Sequence, residues 1–244
     1  MFFLNYSTFY LVSIIILLPA ILISAWAGGR VHSTFHKFDR YPTASDWTGS
    51  DVARMLLERN KIYGVSVVPG KGVLTDNFNP SNMSVTLSQS TYSSNSIAAV
   101  AVAAHEIGHV IQREEGYGPY KLRSILVPIT NFGSRIAIPL VIVGIILEFL
   151  LAVTAIGTVI VFIGVCAYGL SFLFTLITLP VELNASKRAR ELLVETGVLT
   201  TKQEIKGAKK VLSAAAMTYI ASALVSLVYF LRFLAFILLL KRRR

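Results

Sequence analysis

From Ile136 to Leu179 the chain runs for 44 residues with one charged side chain, Glu148. A lipid-exposed stretch of this kind must satisfy its own backbone hydrogen bonds, so it folds as helix. One span takes about 20 residues. The length therefore predicts a helical hairpin, turning between Glu148 and Gly157. A carboxylate inside a span is costly and is by default a functional suspect; the plainer reading places Glu148 at the turn, in the headgroup region. Two further apolar segments run from about Phe9 to Ala27 and from about Met217 to Leu240. Arg232 interrupts the last and can snorkel to an interface. Ala25-Trp26-Ala27 resembles a signal-peptide cleavage site, but no Lys or Arg precedes the segment, so it reads as a retained anchor. With 54% hydrophobic and 15% charged residues, against roughly a quarter charged in soluble domains, the expectation is a mainly α, polytopic membrane protein with about four transmembrane helices.

The net charge is +10. A basic chain points to nucleic acid or to an anionic membrane surface. Here the basic residues flank apolar segments and form no aromatic-laced surface, so membrane lipid is the expected partner and nucleic acid is not. With four spans, residues 28–135 and 180–216 share one side and carry eleven and seven basic residues. Lys and Arg favour the cytoplasmic side, which predicts an outside N-terminus and a cytoplasmic domain. The terminal "KRRR" opposes this topology unless the last helix stops short of crossing or lies in the interface. The single cysteine, Cys166, excludes an intramolecular disulfide and a thiolate metal site.

Residues 28–124 are mixed in character. "SDVARMLLERNKIYG" reads as an amphipathic helix capped by Ser50, with Val52, Met55, Leu56 and Ile62 at helical spacing. "VSVV", "GVLTD" and "MSVTLS" read as short strands of one small sheet, with a turn at "NFNPSN". If "MSVTLS" is a sheet edge, an extended polypeptide can pair along it; burial within the sheet is the alternative.

Next comes "SIAAVAVAAHEIGHVIQ". Ser94, Asn95 and Ser96 cap a helix from Ile97 to Gln112 that is small or apolar almost all round, as for a helix buried on most sides. It carries H-E-x-x-H: His105, Glu106 and His109. Helical residues four apart are offset by about 40°, so both imidazoles reach one tetrahedral metal. Glu106, about 100° round from His105, is placed to take a proton from metal-bound water. Chance produces this pattern in about 0.2% of chains of this composition, a frequency product that sets the motif's false-positive floor. His32 and His36 share the four-residue spacing but lack the intervening Glu, and read as interfacial residues.

A catalytic zinc site needs a third protein ligand and an open position. The extended pattern H-E-x-x-H-x-x-G-x-x-H fails, because position 112 is Gln, position 115 is Glu and no His follows. Beyond the hairpin the carboxylates are Glu182, Glu191, Glu195 and Glu204. Glu191 and Glu195 alternate with Lys and Arg, like a solvated face. Glu182 follows Pro180 and is expected in the first turn of a new helix, "PVELNASKRARELLVE". Ala185, Ser186 and Ala189 share its face and permit close packing on the histidine helix. The plainer reading of Glu182 is a helix-start carboxylate favoured by the dipole. The expected organisation is an anchor (1–27), a catalytic α+β segment (28–124), a transmembrane hairpin (125–180), a helix carrying the third zinc ligand (181–216), and a membrane helix with a basic tail (217–244).

These features resemble the YugP-like family of membrane-bound neutral zinc metallopeptidases of bacteria. The match is carried by "LTDNFNPSNMSVTLSQSTY", "SIAAVAVAAHEIGHVIQ", "YKLRSILVPITNFGSR" and "LPVELNASKRA". The resemblance implies a zincin-like (gluzincin) domain in the bacterial plasma membrane, one Zn2+ per chain, and endopeptidase action on membrane or membrane-proximal polypeptides. Its metal residues map onto His105, His109 and Glu182, and its general base onto Glu106, which assists attack of zinc-bound water. The Glu-x-x-Ala of Glu182 and Ala185 is similar to the third-ligand helix of HtpX-type and prenyl-protein membrane proteases. Those proteases carry Asp, in support of the metal ligands, where this chain has Ser186. "DNFNP" departs from the family's "DHYDP"-like turn, so no His acts there. Tyr92, Tyr117, Tyr120 and Arg188 are candidates to stabilise the oxyanion. The rival readings are a non-catalytic zinc-containing membrane scaffold, which has no use for Glu106, and a transporter built on Glu148 and Arg232.

Overall fold

The computed structural model describes residues 6–149 and 154–241. In chain order these form α1 (Tyr6–Phe38), α2 (Gly49–Arg59), β1 (Ser66–Gly70), β2 (Asn77–Asn79), β3 (Ser84–Ser88), α3 (Gln89–Tyr92), α4 (Ile97–Glu114), α5 (Gly118–Phe149), α6 (Thr154–Glu195) and α7 (Lys202–Lys241). The chain is mostly helical. Among the described residues four helices are long and apolar enough to cross a membrane, over Ile14–Phe38, Gly118–Gly144, Val159–Glu195 and Lys202–Ala235. Residues 150–153, where α5 gives way to α6, lie outside the described residues. So do the Glu148 side chain and the final three arginines.

Two units are distinguishable. The first comprises Met1–Trp26, Leu122–Thr178 and Tyr219–Arg244. Among its described residues is an apolar cluster. Val141, Val161 and Val165 are buried with Phe230 and Phe233 packed against them, and Phe172 stacks on Phe230 with ring centroids 5.9 Å apart. Close van der Waals packing of this sort replaces the hydrophobic effect as the cohesive force between helices in lipid.

The second unit comprises Ala27–Lys121 and Leu179–Thr218, and its core surrounds α4. Val52, Ala53, Leu56 and Leu57 of α2, Leu87 of β3, Phe35 of α1 and Leu193 of α6 are buried in one cluster with Val100, Ala104 and Ile107. The helix expected to start at Ser50 starts earlier. Thr48 is the cap, accepting from the Asp51 N–H, while the Asp51 carboxylate accepts from the Thr48 N–H. This reciprocal pair satisfies two N-terminal groups at once, which a Ser50 cap would not.

The sheet has the order β1-β3-β2, with β1 parallel and β2 antiparallel to β3. Two expectations change. "GVLTD" is not a strand, because Gly72 and Leu74 take positive φ (93° and 56°) and the Asp76 carboxylate accepts from the Ser88 backbone and hydroxyl. The edge strand is instead Asn77–Asn79, from the segment read as a turn. "MSVTLS" is the central strand, so its backbone is not the edge available to a substrate.

A third change concerns α6. No new helix begins at Pro180, which lies inside α6. Proline costs one helical hydrogen bond and a clash, tolerated here within a 42-residue helix. Glu182 is consequently a mid-helix residue and not a carboxylate at a helix start.

Glu204 fastens the start of α7. It accepts from the backbone N–H groups of Thr200 and Thr201, and from Ala44 at 2.7 Å, a residue 160 positions earlier. Its carboxylate thus joins the α1–α2 connection to the α7 start. Glu204→Ala removes the acceptor for three N–H groups and is expected to destabilise the protein by about 2–3 kcal/mol. Thermal unfolding of the purified chain in detergent reads the loss; a midpoint equal to wild type contradicts the capping role.

Candidate metal centre

The site is built by two helices that touch at their backbones. Ser96 caps α4 by accepting from the Ala99 N–H. The helix then carries small residues into the core, with Ala98, Ala101 and Ala104 wholly buried. Opposite lie Ala185 and Ala189 of α6, also wholly buried. At Gly108 the approach is closest: a Cβ there would stand 2.8 Å from the Ala185 carbonyl oxygen. The glycine inside H-E-x-G-H is therefore required by packing.

This contact sets the polar groups in register. His105 Nε2 lies 3.2 Å and His109 Nε2 3.4 Å from the same oxygen, Oε2 of Glu182. Ligand atoms of the three residues all lie within 4.8 Å of one another. Zinc–ligand bonds of about 2.0–2.1 Å at tetrahedral angles put neighbouring ligand atoms about 3.3 Å apart, and the two separations from Glu182 Oε2 match that spacing. Glu182 is 1% exposed. Among the described residues this is the one group of three or more His, Cys, Asp or Glu side chains with that arrangement; His32 and His36 stay exposed on α1.

Each imidazole is held from behind. His105 Nδ1 is 3.2 Å from Ser186 Oγ, and His109 Nδ1 is 3.0 Å from Gln112 Oε1. A partner at Nδ1 fixes the ring and leaves Nε2 for the metal. Ser186 reaches His105 through its hydroxyl. Gln112 is wholly buried and in turn donates to the Val181 carbonyl and to Asn184 Oδ1. Asn184 also accepts from Arg188 Nε, and Arg188 pairs with Glu115 at 2.6 Å. That guanidinium holds the Glu115 carboxyl below the usual carboxylate range. The roles of Gln112 and Asn184 were not foreseen from sequence. The available signal was a buried amide three residues after a histidine on an otherwise apolar helix.

Glu106 faces the same region. Burial pushes its carboxyl up to about 7, the nearby His105 opposes the rise, Asp76 and Glu182 add to it, and a hydrogen bond from the Phe78 backbone of β2 opposes it. Edge strand and carboxylate are thus neighbours. The oxyanion candidates separate. Tyr120 is buried with its ring 6.4 Å from that of His109. The Tyr92 hydroxyl accepts from Arg54 at 2.7 Å, and Arg188 is engaged by Asn184 and Glu115. Tyr117 is half-buried just beyond α4, its N–H donating to the Gln112 carbonyl.

Gly108→Ala forces α4 and α6 apart. The expected result is a destabilisation of about 1–3 kcal/mol together with a fall in zinc bound per chain, read by thermal unfolding and elemental analysis. Wild-type values of both contradict the close-packing account.

Residues 13–238 match the family described as "Putative neutral zinc metallopeptidase". The chain is 41% identical over 220 residues to "Putative membrane protease YugP" of Bacillus subtilis (strain 168), covering 90% of this chain and 94% of that protein. No solved structure matches. Match and geometry lead to one conclusion: this chain belongs to the neutral zinc metallopeptidase family.

Proposed function

We propose that the protein is a membrane-embedded zinc endopeptidase of gluzincin type, cutting membrane or membrane-proximal polypeptides. The observation that carries this reading is the convergence of His105, His109 and Glu182 on one point, with Glu106 adjoining in the same buried helix. A structural site closes with four protein ligands; three ligands and an acidic neighbour are the donor set of a hydrolytic one.

Zinc, when bound, supplies Lewis acidity that activates a water and polarises the scissile carbonyl. The remaining work falls to this chain's own groups. His105, His109 and Glu182 would hold the ion, with Ser186 and Gln112 orienting the two imidazoles. Glu106 takes the proton of the attacking water and delivers it to the leaving amine. Tyr120, packed beside His109, is the residue we assign to the oxyanion. An extended substrate pairs along the outer edge of β2, the strand whose Phe78 N–H already meets Glu106. The eighteen basic residues of segments 28–135 and 180–216 support a cytoplasmic catalytic unit at the plasma membrane.

Zinc content and cleavage of casein or a membrane-protein substrate, measured on detergent-purified wild type, Glu106→Gln and Glu182→Ala, test the proposal. Glu106→Gln is expected to keep its zinc and lose about 10²–10⁴-fold in rate. Glu182→Ala is expected to lose zinc. Undiminished cleavage by Glu106→Gln overturns the mechanism and leaves a zinc-holding scaffold, while undiminished zinc in Glu182→Ala removes that residue from the site.

A further inference from the structure

The second unit contains a cavity of about 620 Å³ between α1 and α7. One wall is a single face of α1, formed by Arg30, Thr34, Lys37 and Phe38. The other is a single face of α7, where Lys206, Lys209, Lys210, Ser213 and Met217 line the space. Five cationic side chains therefore face one volume, and no carboxylate lines it. All five are exposed. Like charges three and four residues apart on a helix repel, so the arrangement has a small standing cost. An anion in the cavity reverses that cost.

The two helices say which anion. α1 has no charged residue from Ile14 to Gly29, and α7 has none from Val211 to Leu231. The basic residues start where each apolar stretch stops, which is where phospholipid headgroups lie. Hydroxyls of Thr34 and Ser213 accompany the cations, and Phe38, Ala214 and Met217 add apolar lining. That combination matches a phosphate ester with a hydrocarbon tail. The helix pair is also closely fitted: a Cβ on Gly207 would stand 2.9 Å from the Phe38 ring, and Lys37 Nζ lies 5.9 Å from the centroid of that ring. The cavity is thus walled by a packed pair of helices.

We propose that this cavity binds the headgroup of an anionic phospholipid, separately from the metal centre. Bound lipid contacts both α1 and α7 and so holds the start of α7 at the bilayer surface. Each basic side chain near an anionic membrane surface contributes about fivefold to binding, so three together contribute about a hundredfold.

The test is native mass spectrometry of the full chain in detergent, titrated with phosphatidylglycerol or phosphatidylcholine. The variants are Lys206→Gln/Lys209→Gln/Lys210→Gln, the same three positions changed to Arg, and a charge-matched control, Lys61→Gln/Lys71→Gln/Lys187→Gln. We expect phosphatidylglycerol to be retained over phosphatidylcholine by wild type, by the Arg variant and by the control. The cavity Gln variant is expected to lose about a hundredfold in phosphatidylglycerol affinity with zinc content unchanged. Equal retention of the two lipids by wild type overturns the proposal. So does full retention by the cavity Gln variant, or an equal loss in the control, which shows bulk charge alone. Displacement of the lipid by equimolar inorganic phosphate also overturns it and identifies a soluble-phosphate site.

Discussion

The backbone contact between Gly108 and Ala185 is the constraint on which the cluster of His105, His109 and Glu182 depends. At Gly108 the nearest atoms across the gap between two helices remote in sequence are the Ala185 backbone. Only at that separation does a carboxylate on one reach the imidazoles of the other at 3.2 and 3.4 Å. One added methyl group has to be absorbed by backbone, which does not yield as a flexible side chain does. The alanines around both contact points serve the same end.

Close packing has an electrostatic consequence. Glu106 and Glu182 are both buried, and the nearby Glu182 adds to the rise of the Glu106 carboxyl. Buried carboxylates persist only when compensated by partners. The imidazoles supply part of that compensation, and a divalent cation held by His105, His109 and Glu182 would supply more. The hydrogen-bonded chain from His109 through Gln112 and Asn184 ends at an ion pair between half-buried Arg188 and exposed Glu115. It links both helices of the site behind the ligands, which makes the focus a property of the α4–α6 pair rather than of any one residue.

Much of this was legible in the amino-acid order. His105, Glu106 and His109 announce themselves because helical geometry converts their spacing into a shared face. Glu182 could be singled out because so few carboxylates follow the hairpin and because small residues flank it. Ser186 was pointed to by the family resemblance, and its hydroxyl does sit behind His105. Other features depend on tertiary context that local pattern does not encode. Pro180 reads as a helix start, yet the long helix continues through it. "GVLTD" reads as a short strand, but positive φ at Gly72 and Leu74 and the ties of Asp76 to Ser88 make it a loop. Gln112 is silent in sequence, since its role arises from which atoms α6 brings opposite it. The gathering of Arg30 and Lys37 with Lys206, Lys209 and Lys210 is likewise invisible until α1 and α7 are side by side.

X-ray absorption at the zinc K-edge of the purified chain tests the central claim most directly, because it reports the ligand atoms themselves. The account predicts about one zinc per chain, with two imidazole nitrogens and carboxylate or water oxygens at about 2.0–2.2 Å and no sulfur. A single imidazole, a sulfur shell at about 2.3 Å, or a preparation that binds no zinc when the metal is supplied would contradict it.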